Sequence, residues 1–145
     1  MIEHAWSLLC QAAIIDKDTN LISIINVIEA IKIAEIPSEE KTLNAPIQVV
    51  SLWSRTNLGE THKGESLYAF HSPGGKLIKE VEHPVDLKKY ERTRTRVSLG
   101  DIKLPDGSGK YEVKVKYRNN KDDEWRDVAS IPLKIIFLEE AEAQK

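Results

Sequence analysis

The segment DKDTN, residues 16–20, sets Asp16, Asp18 and Asn20 at alternate positions. The first three oxygen ligands of a calcium-binding EF-hand loop are spaced in this way. Such a loop also needs a glycine at its sixth position, for a sharp turn, and a bidentate glutamate at its twelfth. Counted from Asp16, those positions hold Leu21 and Val27. The flanking segments are rich in isoleucine rather than built as a helix pair. Calcium chemistry is therefore not expected, and DKDTN is expected to be a polar hairpin turn.

A second pattern is RTRTR, residues 92–96. On a strand, Arg92, Arg94 and Arg96 project from one face, roughly 7 Å apart. Guanidinium groups so spaced suit a phosphate backbone or a strip of carboxylates on a protein partner. Glu80 and Glu82 repeat the period-two spacing on the preceding strand candidate, so cross-strand ion pairs are the simpler expectation. No cluster of exposed aromatics beside the arginines supplies a base-stacking platform, and nucleic acid is not expected as a partner. Arg92, Arg94 and Arg96 are the candidate binding residues.

The remaining reactive side chains point to no catalytic residue, metal or cofactor. His4, His62, His71 and His83 lack the spacing of a zinc motif. Cys10 sits in an apolar run, where a cysteine behaves as a small, protonated hydrophobe. No serine lies in a Gly-x-Ser-x-Gly elbow. PGGK and DGSGK lack the phosphate-loop pattern and suit hairpin turns. If strands simply alternate direction, Asp16 and Asp18 share one end of the fold with Asp122 and Asp123. Some β-sandwich modules bind calcium with loop aspartates at one end. Aspartates are equally ordinary turn formers, and that is the expectation here.

These residues must be positioned by strands. AWSLLCQAAII and LISIINVIEAIKIAEI flank the DKDTN turn. With period two, Trp6, Leu8, Cys10, Ala12 and Ile14 share one face. In the second run polar residues recur every third position, a helical hint, but its density of isoleucine and valine favours a pleated surface. A hairpin over residues 5–34 follows. PIQVVSLWSR and ESLYAFHS are further strands, and SPGG closes a second hairpin with KLIKEVEH. VDLKKYERT is a polar connection with room for one helical turn, and RTRVSLGDIKL a strand running into a loop. KYEVKVKYR alternates most cleanly, with Tyr111, Val113, Val115 and Tyr117 opposed to five charged residues. Pro132, in the last run, marks an edge or a bulge. The expected fold is all-β, an antiparallel immunoglobulin-like β-sandwich of seven to eight strands. One domain spans 1–138, with a polar tail at 139–145. Gly109-Lys110-Tyr111 fits either a tyrosine corner, where the hydroxyl bonds back to a loop between sheets, or a core tyrosine after a glycine turn.

The bulk numbers agree. A hydrophobic fraction of 41% with 30% charged residues excludes a long disordered chain. A net charge of -2 demands no nucleic acid or anionic membrane. The single cysteine makes no internal disulfide, and MIEHAWSLLCQAAIID lacks a positive leader region. A cytoplasmic protein outside the membrane is expected.

The order Ala-x-x-Leu-Leu-Cys, an Asp-rich turn and Leu-x-Ser-Ile-Ile over residues 5–31, followed by HSPGGKLI, GKYEVKVKY and ASIPLKII, resembles a family of small, uncharacterised bacterial proteins known only as a domain of unknown function. The resemblance implies a β-sandwich and no activity. Where such families often carry an acid after the cysteine, this chain has Gln11. The expected function is that of a non-enzymatic module acting through contacts with an unidentified protein, with a homo-oligomer also open. The rival classes are a ligand- or polysaccharide-binding sandwich, using Trp6, Trp53 or Trp125 as a platform, and a small enzyme with a dispersed site.

Overall fold

A computed structural model describes residues 2–33, 42–43, 45–56 and 63–138. The proposed tail at 139–145 and His62 lie outside the described residues. Among the described residues the elements are strands, eleven rather than seven or eight. β1 (Ile2–Ile15), β2 (Ile22–Val27), β5 (Gln48–Arg55) and β8 (Arg92–Ser98) form one sheet in the order β2-β1-β5-β8. β3 (Ala30–Ile33), β11 (Arg126–Phe137), β10 (Gly109–Arg118), β6 (Lys63–His71) and β7 (Leu77–Asp86) form the other, in the order β3-β11-β10-β6-β7. β4 (Thr42–Leu43) and β9 (Ile102–Lys103) make a short separate pair. The extra strands arise because β4 and β9 are too short to show a period, and because the isoleucine-rich run breaks at Ile28–Glu29.

The two large sheets pack face to face. Val49, Trp53 and Val97 from one meet Tyr68, Phe70, Tyr111, Val113, Val115, Tyr117 and Leu133 from the other in one buried cluster. Strand β10 shows why. Its four alternating apolar residues are buried, while Lys110 stays in water. The PGG turn behaves as its residues require. Gly75 takes φ +87°, and its N–H donates to the Ser72 carbonyl at 2.9 Å. Leu87–Glu91, the connection with room for a helical turn, contains none. Between β8 and β10 the chain passes from one sheet to the other, and there the Tyr111 hydroxyl donates to the Gly107 carbonyl at 2.9 Å. Pro132 lies on the part of β11 that β3 does not reach, and β11 also bulges near Ala129. The edge falls at Pro132 and the bulge does not.

The first hairpin forms as expected through Val27, then departs from expectation. Asp16 and Leu21 close its turn, and Asn20 takes φ 59°. After β2 the chain crosses between sheets. The Ile28 N–H bonds the Leu9 carbonyl on one side, and the Lys134 N–H bonds the Glu29 carbonyl on the other. β3 then runs parallel to β11. The period-two face also slips. Trp6, Leu8 and Cys10 share a small cluster with Ala13, not Ala12, and Ile14 is 55% exposed. At this point Asn26, opposite Gln11, takes φ 53°, and its side chain donates to Gln11 Oε1.

Candidate functional site

The outer face of the β2-β1-β5-β8 sheet carries the arginine row. β8 pairs with β5 through seven rungs without a register shift. Thr95 and Val97 point into the core, so Arg92, Arg94 and Arg96 point out. β7 belongs to the other sheet, where its ladder partner is β6. The expected cross-strand pairs with Glu80 and Glu82 within one chain are therefore excluded by topology. Period-two spacing placed both rows on strands but said nothing about which strands are neighbours.

Two of the arginines have another task. Arg96 Nη1 donates to the Ala13 carbonyl at 2.9 Å. Arg94 Nη2 donates to the backbone and side-chain oxygens of Asn20, at 2.6 and 2.9 Å. Arg96 stands on the rung of Val50 and Leu8. Were β1 straight, Ala13 would lie roughly 16 Å further along than Leu8, beyond an arginine's reach. The end of β1, with β2 and its turn, therefore folds back across the outer face onto β8. Ile22 and Ile24 of β2 pack with Trp6 and Leu8 against the cluster of Cys10, Ala13 and Val50. Arg94 and Arg96 hold the folded-back end there.

Arg92 is exposed and has no hydrogen-bond or ion-pair partner among the described residues. Two adjoining depressions meet at it, of about 300 Å³ and 410 Å³. One is lined by Trp6, Asn20 and Leu52, the other by Lys17, Asn20 and Tyr90, and both by Arg92 and Arg94. No lining residue is acidic. Trp6 is half-buried and Tyr90 is 67% exposed. Beside two aromatic rings the site thus offers cations and no carboxylate, and the cations attract anionic groups. Its sequence signal was split between RTRTR and the DKDTN turn, and only folding joins them.

The other sequence candidates are dispersed or spent. Asp16 Oδ1 accepts the N–H groups of Asp18 and Thr19, at 2.8 and 3.1 Å, as a turn-forming aspartate does. These bonds, Thr19 first, hold its carboxyl below the usual carboxylate range. The Asp122–Asp123 turn joins β10 to β11 in the other sheet, so the two aspartate turns do not share a sheet. Among the described residues no three His, Cys, Asp or Glu side chains gather as a metal would need. Cys10 is buried, and burial pushes its thiol up. Trp53 is in the core, Trp6 is on the outer cluster rather than in the core, and the Arg118 guanidinium lies 4.0 Å over the Trp125 ring.

Sequence reasoning missed a polar seam between the sheets. His4 Nε2 meets Ser7 Oγ at 2.6 Å, and Ser7 Oγ meets Ser51 Oγ at 2.6 Å. The Tyr68 hydroxyl joins Ser51 to Thr95, whose Oγ1 also accepts from Trp53 Nε1 at 3.0 Å. Burial holds the His4 imidazole below its ordinary value. No carboxylate of the described residues takes part in these bonds. Isolated serines and threonines in strands gave no sign that they would converge.

Among the described residues no helix is long and apolar enough to cross a membrane. No protein-family model matches the chain, and no curated protein matches its sequence.

Proposed function

We propose that the chain is a non-enzymatic module of immunoglobulin-like sandwich type, acting in the cytoplasm through protein contacts. Its working surface is the face around Arg92, and the partner presents carboxylates there. The observation that carries this is the unpaired, exposed Arg92 at the junction of two depressions that also expose Lys17 and Tyr90 and contain no acid. Each guanidinium adds charge-assisted, planar recognition of a carboxylate. The Tyr111–Gly107 hydrogen bond at the crossing between sheets favours the immunoglobulin-like assignment. A sugar platform has less support, because Trp53 is buried and Arg118 covers Trp125. A polyglutamate peptide is the probe. Its binding should weaken as salt rises and be lost in a folded Lys17→Gln/Arg92→Gln double variant. Equal binding by that variant and the unaltered protein would refute the assignment.

A further inference from the structure

The two large sheets end at β8 and at β7, and no strand of either sheet lies beyond them among the described residues. The bonds between β8 and β5 fix which backbone groups remain open. The Arg55 N–H donates to the Glu91 carbonyl at 2.8 Å, and the Leu99 N–H donates to the Ile47 carbonyl at 3.0 Å. Odd positions along this segment therefore bond to β5, and the alternate residues turn their N–H and C=O groups away from it. Those residues are Arg92, Arg94 and Arg96. The open edge is thus a row of free backbone groups bearing guanidiniums on its outer face.

β7 carries the complementary row. Pro84, opposite Glu65, has no N–H to give β6, and a proline in a sheet sits where that group would face off the edge. Period two places Glu80 and Glu82 in the same open phase. Both are exposed, and Val85 is buried on the opposite face, so the glutamates lie on the outer face of their own sheet.

Two contacts across the interlayer give the relative height of these rows. Tyr68, opposite Val81, reaches Thr95 with its hydroxyl at 2.9 Å. Tyr117 lies on the rung of Ser66 and His83, and its ring is 5.5 Å from that of Trp53, which is opposite Thr93. Val81 therefore lies level with Thr95 and His83 level with Thr93, so β7 and β8 run antiparallel. A twofold axis parallel to the strands keeps these heights. It brings β8 of one molecule beside β7 of another in a continuous layer, with Arg94 opposite Glu82 and Arg96 opposite Glu80. All four residues are in the open hydrogen-bonding phase and on the same face.

We propose that the chain forms a twofold dimer in which β8 of each copy adds to β7 of the other. The proposal rests on reading the arginine edge as the working surface and names a second copy as an occupant of it. The symmetry forms the strand pair twice. The arginine row also disfavours β8 against β8, where like charges would face each other. Arg92 falls opposite Pro84 and keeps no carboxylate, so the depressions around it remain available to a further acidic partner.

Sedimentation equilibrium at about 0.1 mM, well above a dissociation constant of about 1 µM, should give twice the 16.4 kDa of the chain. Glu80→Lys/Glu82→Lys should weaken the dimer by about 100-fold or more while leaving the melting temperature nearly unchanged at concentrations of about 0.1 µM, where both proteins are mostly monomeric. Arg96→Cys combined with Glu80→Cys should yield a covalent dimer on oxidation, because directly opposed, hydrogen-bonded residues lie about 5.5 Å apart at Cα. Lys17→Gln/Arg92→Gln should lose the polyglutamate peptide and stay dimeric, which separates failure of the dimer from failure of the acidic-partner site. A monomeric unaltered protein, or a dimer that survives the double lysine change, would overturn the proposal.

Discussion

The two long flanks of the molecule are closed by different physics. On the β1/β11 flank the sheets part in a groove of about 770 Å³, lined by Leu8, Leu9, Val27, Ile28, Ile131 and Pro132 among others. Its strands are made irregular. β2 carries left-handed Asn26, and β11 carries Pro132 and a bulge. On the β8/β7 flank β8 is regular through all seven rungs, and its edge is marked by charge instead. Shape and charge both protect an edge, but they exclude different things. A proline or a bulge interrupts a ladder where it lies, as Pro84 also does on β7, whereas a row of arginines rejects only a strand without carboxylates in register. On the dimer proposed above, this difference would make the β8 edge the selective one.

The largest expected effect lies on the apolar flank. Leu9 is 1% exposed and forms part of the groove's floor. Leu9→Ala should cost about 2–5 kcal/mol in chemical denaturation, through lost transfer energy and the cavity left behind. A loss below about 1 kcal/mol would mean that the groove collapses to fill the space, and that this flank is less fixed than its buried contacts imply.

On the charged flank, Arg94→Gln and Arg96→Gln should each cost about 0.5–1.5 kcal/mol, since both donate to oxygens that are at least partly in water. The sharper readout is local. Amide exchange should accelerate in the Asp16–Leu21 turn and the end of β1, and not in β10. Unchanged exchange there would mean that the folded-back hairpin holds without its arginines. Arg92→Gln, with no such bond to lose, should leave the turn unaffected.

This contrast also shows what the sequence carried and what it did not. Strands and turns were legible because their signals are local. The alternation from Tyr111 to Tyr117, the PGG turn and the Asp16 turn each follow from a few adjacent residues. Pro132 announced its edge through its missing N–H. Neighbour relations were not legible. Glu80 and Glu82 precede Arg92 closely enough to suggest a shared ladder, yet the chain changes sheets over Leu87–Glu91. The sheet crossing at Ile28–Glu29 was hidden because the run stays rich in isoleucine before and after it, and isoleucine suits both sides. The candidate site was half legible. Arg92, Arg94 and Arg96 were visible, but Lys17, Asn20 and Trp6 join them only through the fold-back of the first hairpin, which is a long-range contact with no local signature. The seam of Ser7, Ser51, Tyr68 and Thr95 had no signature, because each residue is unremarkable in a strand.

A smaller effect should come from His4, which lies between the flanks at the end of that seam. Burial lowers its folded pKa below the ordinary 6.5. Above that value the imidazole is neutral in both states. As pH falls below it, the unfolded chain takes up the proton first, so the stability tied to neutral His4 is lost as pH falls through the folded pKa. The melting temperature should fall between pH 7 and pH 5 by more in the native protein than in His4→Asn. Parallel pH curves for the two would show that the histidine is solvated in the folded state and that the seam is open to water.

The smallest effect is expected at the Asp16 turn, where calcium chemistry first suggested itself. The turn already uses its oxygens. Asp16 Oδ1 is occupied by the N–H groups of Asp18 and Thr19, and both Asn20 oxygens are taken by Arg94. A calcium ion would have to displace a guanidinium without the bidentate glutamate that anchors it in an EF-hand, the corresponding residue here being Val27. Calcium at about 1 mM, enough to fill even weak extracellular sites, should therefore leave the melting temperature unmoved. Asp16→Asn keeps the acceptor and should leave amide exchange at Asp18 and Thr19 slow, while Asp16→Ala should accelerate it at those two residues. Because Asp16 ionises more readily in the folded turn, its contribution is present above the ordinary carboxylate pKa and is lost as pH falls through the folded one. A saturable rise in melting temperature with calcium, abolished by Asp16→Ala, would place an ion where Arg94 now sits and would turn the charged flank from a strand-selective edge into a metal-controlled one.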